Sequence, residues 1–133
     1  MLDKKQAKQD YKLNHRPMGI YQIRNTQNDK IWVNHSVNLP GSFNGDRVKL
    51  NAGFHPAVNL LADWKLIGED NFVFEVLEEV FPRTDPDYDY KADLIFLEDL
   101  WIEQLQPFGE KGYNEPKKST EERLQMIRAN RNL

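Results

Sequence analysis

The chain of 133 residues contains no cysteine, and it has no apolar run long enough to cross a membrane. Without cysteine there is no disulfide framework to indicate an oxidising compartment. The first residues, MLDKKQAKQDYK, lack the apolar segment of a signal peptide. A glycine-rich phosphate loop, an HxxxH or HExxH pair and a serine or cysteine triad are also missing. We therefore expect a cytoplasmic protein that does not enter a membrane.

The composition is that of a single globular domain. Hydrophobic residues make up 39% of the chain and charged residues 29%, and 133 residues are enough to bury a core. The net charge of -3 argues against a protein that coats nucleic acid by bulk charge, although local basic patches remain compatible with it. We expect a helical arm at 1–17, a central domain at 18–114 and a helical tail at 115–133.

Residues 19–38 form the most informative stretch, GIYQIRNTQNDKIWVNHSVN. Two runs of alternating apolar and polar residues flank the turn-forming segment NTQND, which predicts a β-hairpin. A third alternating run, FVFEVLEEV at 72–80, predicts a strand covered at least partly on both faces. The sequence thus predicts a small antiparallel sheet of three strands at 19–25, 30–36 and 72–80.

Helix signals fill the intervals between these strands. Asn38 is a good N-cap for a helix that opens with Leu39 and Pro40 and closes at Gly53. Pro56 suits the first position of a second helix, which ends before Gly68. A long helix follows at about 92–106, after a loop rich in proline and acidic residues. The fold class that results is α+β, a small three-stranded sheet flanked by helices.

Several motifs resemble the GIY-YIG nucleases in order and spacing between Met18 and Asn114. The first triplet is Gly19-Ile20-Tyr21, and the second is altered to Trp32-Val33-Asn34. Further matching pieces are Ser36 and Asn38-Leu39, His55 two residues after a glycine, Trp64 with Gly68-Glu69-Asp70-Asn71-Phe72, Leu97-Glu98-Asp99-Leu100-Trp101-Ile102, and Gly112-Tyr113-Asn114. The resemblance implies the GIY-YIG endonuclease-like fold and metal-dependent hydrolysis of phosphodiesters.

The resemblance also implies which positions form the site. It places a metal-binding glutamate at Glu98, with Mg²⁺ or Mn²⁺ as cofactor, and the first family tyrosine at Tyr21. The second tyrosine is replaced by Trp32, whose indole cannot accept a proton. The family's arginine falls on Ser42. The polar residue one turn later falls on Asp46, and His55 matches a family position where a structural role as a helix cap is the alternative.

These replacements lead to three functional hypotheses. A positioned proton-transfer group is worth roughly 10²- to 10⁴-fold in rate and a phosphate-clamping arginine about 10³- to 10⁵-fold. The leading hypothesis is a weakly catalytic or non-catalytic domain that binds nucleic acid or regulates. A second is an active DNA endonuclease in which Arg47 or Arg24 replaces the missing arginine. A third is a protein-interaction module that uses the acidic loop from Asp85 to Asp93.

Clustered positive charge marks the segments that we expect to contact DNA weakly, with a solvated helix surface as the alternative for the N-terminal arm. His15 and His35 lack the spacing of zinc ligands. The candidate nucleic-acid contacts are Lys4, Lys5, Lys8, Lys12, Arg16, Arg24, Lys117, Lys118 and Arg128.

Overall fold

The computed structural model describes residues 16–116, 124–125 and 127–129. Within them three strands form one antiparallel sheet: β1 (Met18–Asn25), β2 (Ile31–Ser36) and β3 (Phe72–Val80). The strand order is β2-β1-β3, so the first strand of the chain lies in the centre. The predicted sheet and its three strands are confirmed.

Three helices cover the sheet: α1 (Leu39–Ala52), α2 (Val58–Ile67) and α3 (Lys91–Leu105). A single 3₁₀ turn, Glu69–Asn71, leads into β3 and was not predicted. The predicted start of α2 at Pro56 is wrong, since the helix begins at Val58. Ala57 precedes the helix with a non-helical ψ of 87°, and Nδ1 of His55 accepts its N–H at 3.0 Å.

The caps of α1 agree with the sequence prediction. Oδ1 of Asn38 accepts the N–H of Gly41 at 3.2 Å, and Gly53 closes the helix in the left-handed region with a φ of 86°. Leu39 and Leu50 are buried in the core. Their contacts hold α1 in place although two glycines inside the helix weaken it.

The core lies on both faces of the sheet. Tyr21 and Ile23 of β1 join the first cluster, which continues through Leu50 of α1 and Leu60 and Trp64 of α2. A second cluster, smaller than the first, consists of Met18, Tyr90 and Leu94, with Tyr88 and Val80 packed against it. The sheet therefore separates α1 and α2 from α3, as the two-sided pattern of β3 predicts.

Gly19 lies in β1 directly against the backbone of β3. A Cβ at this position would be 1.9 Å from the carbonyl oxygen of Glu78, so no larger residue fits without a backbone shift. The register of the β1 and β3 pair shifts immediately afterwards, between Ile20 and Tyr21. The glycine and the irregularity together set the position of Tyr21.

The outer edge of β2 is covered by the segment after α3. The Asn114 side chain bonds both main-chain groups of Val33. Its Oδ1 accepts the Val33 N–H at 2.8 Å, and its Nδ2 donates to the Val33 carbonyl oxygen at 2.9 Å. Gly112 forms a parallel bridge to Ile31. This segment thus completes the pairing of a strand that would otherwise be an exposed edge.

Of the predicted arm and tail, little falls within the described residues. Residues 124–125 and 127–129 are helical, and Arg128 and Arg16 are exposed. The predicted contacts Lys4, Lys5, Lys8, Lys12, Lys117 and Lys118 lie outside the described residues. In the described part of the chain no helix is long and apolar enough to span a bilayer.

Candidate functional site

A cleft of about 620 Å³ opens beside the sheet, between the end of β2, one face of α1 and the start of α3. It is the place where the two triplets and the first helix meet. Most of its lining residues have polar or charged side chains. The lining residues are Tyr21, Asn34, His35, Ser36, Val37, Asn38, Gly41, Ser42, Gly45, Asp46, Lys49 and Lys91.

Asp46 joins Tyr21 and His55 in one buried hydrogen-bonded group. The Tyr21 hydroxyl donates to Oδ2 of Asp46 at 2.5 Å, and Nε2 of His55 lies 3.1 Å from Oδ1. Because Nδ1 of His55 accepts the N–H of Ala57, its proton is on Nε2, which donates to the carboxylate. His55 therefore does more than precede a helix: it fixes Asp46 against Tyr21.

The Tyr21 hydroxyl is held in its protonated form. Burial raises the pKa of Tyr21 far above its ordinary value, and the hydrogen bond to Asp46 and its charge raise the pKa further. Nδ2 of Asn34 donates to the same hydroxyl oxygen at 3.3 Å, which lowers the pKa by a smaller amount. Tyr21 is thus a hydrogen-bond donor to Asp46 rather than a ready proton acceptor.

Trp32 has a packing position in this site. Its ring meets the His55 imidazole edge-on, with centroids 4.8 Å apart, and lies 6.2 Å from the Tyr21 ring. It does not line the cleft, and it borders a smaller cavity of about 230 Å³ beside the start of α2. The indole therefore packs against the His55 ring without facing the cleft. Asn34, the third residue of the same triplet, does face the cleft.

A pair of hydroxyls occupies the position that the resemblance gives to an arginine. Oγ of Ser42 lies 2.5 Å from Oγ of Ser36, and both residues line the cleft. Ser36 also accepts the N–H of Asn38 at 2.9 Å. The hydroxyl pair is therefore part of the link into α1, and it brings no positive charge to the cleft.

Neither of the arginines considered as replacements lines the cleft. The guanidinium of Arg47 lies over the Phe74 ring, 4.6 Å from its centroid. Arg24 bonds Glu75 at 2.7 Å and Asp29 at 3.2 Å. The Arg24 guanidinium lowers the pKa of the Glu75 carboxyl, as expected for a formed ion pair.

Two lysines supply the positive charge of the cleft, and sequence reasoning did not single out either of them. Lys49 follows Ser42 and Asp46 at helical spacing, so all three share one face of α1. That spacing was a usable signal. Lys91 opens α3, and only the tertiary structure brings it to the same cleft.

Glu98 lies on α3 in contact with a histidine. Its Oε2 is 3.4 Å from Nδ1 of His35, and the side chains are 15% and 28% exposed. Nδ1 of His35 is buried and has no hydrogen-bond partner among the described residues. The described part of the chain has no group of three or more histidine, cysteine or acidic residues that could hold a metal. One carboxylate and an unsatisfied imidazole nitrogen fit a cation whose other ligands are water or phosphate oxygens.

The acidic loop is held by hydrogen bonds and a ring contact between residues that are close in sequence. The Tyr88 hydroxyl donates to Oδ2 of Asp93 at 2.7 Å, and the N–H of Asp87 bonds Oδ1 of Asp85 at 2.9 Å. Arg83 lies over the Tyr88 ring, 4.4 Å from its centroid. These contacts give the loop an ordered shape beside the start of α3.

Comparisons with known proteins agree with the geometry. Two solved structures of the catalytic domain of the homing endonuclease I-TevI resemble the chain. The first is 28% identical and has a TM-score of 0.63, with 75% of this chain and 99% of that domain aligned. The second, a glutamate-to-alanine variant, is 27% identical and has a TM-score of 0.64, with 77% and 97% aligned. No protein-family profile and no curated protein sequence matches the chain. The resemblance to the GIY-YIG nucleases over this segment is therefore confirmed.

Proposed function

We propose that this GIY-YIG-like domain binds nucleic acid in the cleft beside Tyr21 and no longer cleaves it efficiently. The observation that carries the proposal is the hydroxyl pair of Ser36 and Ser42 next to the Asp46 carboxylate. In a working phosphodiesterase this region requires fixed positive charge on the phosphoryl oxygens. An acid and two hydroxyls do not supply it.

The binding part of the proposal depends on the two lysines. Lys49 of α1 and Lys91 at the start of α3 both line the cleft, so two different helices each contribute an ammonium group to it. Asn34 and Asn38, which also line the cleft, carry amide groups. Ammonium and amide donors are the groups that proteins use on phosphate and sugar, independently of base sequence. We expect weak, salt-sensitive and largely sequence-independent binding.

The loss of cleavage follows from proton transfer as well as from charge. The high pKa of Tyr21 makes it a poor general base near neutral pH, and its proton is already donated to Asp46. Asp46 in turn accepts one hydrogen bond from Tyr21 and one from His55, so each of its oxygens is already bonded within the site. A divalent ion held by Glu98 would supply Lewis-acid stabilisation of the phosphate.

The test is a cleavage assay combined with a binding measurement. Purified protein is incubated with supercoiled DNA and Mg²⁺ or Mn²⁺, and binding to the same DNA is followed at low salt by fluorescence anisotropy. We expect binding without nicking above the background of a Glu98→Ala preparation. Metal-dependent nicking that Glu98→Ala abolishes would contradict the loss of activity. No detectable binding at low salt would contradict the role in nucleic-acid binding.

A further inference from the structure

We propose that His35 and Glu98 together bind a first-row divalent transition-metal ion, such as Mn²⁺ or Zn²⁺, in preference to Mg²⁺. The spacing of residues in the sequence gives no reason to connect His35 with a metal. The inference concerns metal binding by the protein alone. It does not depend on nucleic-acid binding in the cleft.

The first argument is the unsatisfied nitrogen. Nδ1 of His35 is buried and forms no hydrogen bond with the described residues, although the Glu98 carboxylate is its neighbour. A buried polar atom that forms no hydrogen bond requires an explanation, and a bound ion or an ordered water is one. An imidazole nitrogen and a carboxylate oxygen are both common ligands of divalent metal ions.

The second argument is the distance between the two donor atoms. Nδ1 of His35 and Oε2 of Glu98 are 3.4 Å apart. Two ligand atoms each about 2.1 Å from one ion are separated by about 3.4 Å at a tetrahedral angle and by about 3.0 Å at a right angle. The side chains can therefore bind one ion with at most a small adjustment of their rotamers.

The third argument is access. His35 lines the cleft although its Nδ1 is buried, so an ion that reaches Nδ1 enters from the cleft side, where water or a phosphate oxygen can complete its coordination. The carboxylate lies behind it on α3 and is 15% exposed. Imidazole binds first-row transition-metal ions, Zn²⁺ more tightly than Mn²⁺, whereas Mg²⁺ prefers oxygen ligands. The histidine thus determines the preference among metals.

The experiment titrates the full chain with Mn²⁺ alone, and separately with Mg²⁺, by calorimetry or by the electron paramagnetic resonance signal of free Mn²⁺. We expect His35→Ala to weaken Mn²⁺ binding at least tenfold and to change Mg²⁺ binding less than threefold. Glu98→Gln should weaken the binding of both ions. Glu103→Gln, which removes an exposed carboxylate from the same helix, is the matched control and should change neither.

Any of three results would overturn the inference. The first is wild-type protein that does not bind Mn²⁺ at millimolar concentration. The others are a His35→Ala variant that binds Mn²⁺ as tightly as wild type, and a Glu103→Gln variant whose Mn²⁺ binding is weakened as much as that of Glu98→Gln. If a variant fails to fold, wild-type protein still gives an answer. Substoichiometric Mn²⁺ should broaden the NMR signals of the His35 ring before those of His55, and equal broadening would refute the site. Because no nucleic acid is present, a negative result leaves the proposed binding function standing.

Discussion

The Tyr21 hydroxyl donates a hydrogen bond of 2.5 Å to Oδ2 of Asp46, and this contact connects the central strand to the face of α1 that lines the cleft. The second carboxylate oxygen accepts from His55. Asp46 stands at a position where the family resemblance predicts contact with a phosphate, and here it accepts hydrogen bonds from two residues of its own chain. Asp46 therefore bears both on the stability of the site and on the proposed loss of cleavage.

A double-mutant cycle should measure this contact. Tyr21→Phe and Asp46→Asn should each lower the free energy of unfolding in urea, and the pair should lower it less than the sum. Hydrogen bonds to charged groups are worth about 1.5–3 kcal/mol, so we expect a coupling energy in that range. Additivity within about 0.5 kcal/mol would show that the bond contributes nothing measurable.

Alkaline pH should destabilise the protein through Tyr113. Burial raises the pKa of this tyrosine from 10.0 to about 12, and the hydroxyl donates to Oδ2 of Asp63 at 2.7 Å. Between these pH values the unfolded chain releases the proton and the folded one keeps it. The stabilisation is therefore complete below about pH 10 and falls by about 1.4 kcal/mol per pH unit as the pH rises towards 12.

The check is to measure urea unfolding at several pH values between about 9.5 and 11.5. Tyr113→Phe should be less stable at neutral pH and should lose stability less steeply above pH 10, because it lacks this titrating group. Tyr21 contributes with the same sign in both proteins. Equal slopes for wild type and Tyr113→Phe would contradict the assignment.

Two glycines should respond to alanine in opposite directions. In Gly19→Ala the new Cβ would collide with the carbonyl oxygen of Glu78, so we expect several kcal/mol of destabilisation or failure to fold. In Gly45→Ala, inside α1, the new methyl meets no atom within 4 Å. This variant should be more stable by about 0.5–1 kcal/mol. Thermal unfolding of both variants tests this prediction. A Gly19→Ala variant as stable as wild type would show that the backbones of β1 and β3 can move apart to admit the methyl group.

The cleft lysines should control affinity for DNA. Lys49→Gln and Lys91→Gln should each weaken binding at low salt, and each should reduce the slope of log affinity against log salt by about 0.9. Lys65→Gln, an exposed lysine of α2 outside the cleft, is the matched control. If all three variants bind alike, the phosphate contacts lie elsewhere, and the arm and tail lysines become the next candidates.

Much of the fold could be predicted because its signals are local. The alternation in 19–25 and 72–80, the Asn38 cap and Gly53 all act within a few residues, and they gave the strands and the bounds of α1 closely. The start of α2 was misplaced because Ala57 adopts a non-helical ψ of 87°, which the preference of proline for the first helical turn does not report.

The site was predictable only where one element carries it. Ser42 and Asp46 are four residues apart on α1, so their common orientation towards Tyr21 could be read from helical spacing. The contact of His35 with Glu98, and the arrival of Lys91 at the cleft, depend on how α3 packs against the sheet. No periodicity in the sequence specifies that packing.

The final prediction is that Ser42→Arg alone will not restore activity. An arginine at this position lies one helical turn before Asp46, so the carboxylate would pair with it and cancel its charge. Ser42→Arg with Asp46→Asn leaves the new guanidinium free for phosphate, and it removes the negative charge that adds to the effect of burial in raising the pKa of Tyr21. Adding Trp32→Tyr and Asn34→Gly returns a proton-relay group and opens the strand to close approach by the backbone of a substrate.

We expect the single variant to bind DNA no more tightly than wild type, the double variant to bind about tenfold more tightly, and the fourfold variant to nick supercoiled DNA with Mn²⁺. Unfolding must be measured in parallel, because Trp32 packs on His55 and its loss could cost several kcal/mol through a cavity. Glu98→Ala in the fourfold background is the control for metal-dependent cleavage. A folded fourfold variant that binds Mn²⁺ and DNA without nicking would show that these four positions do not account for the difference from the nucleases.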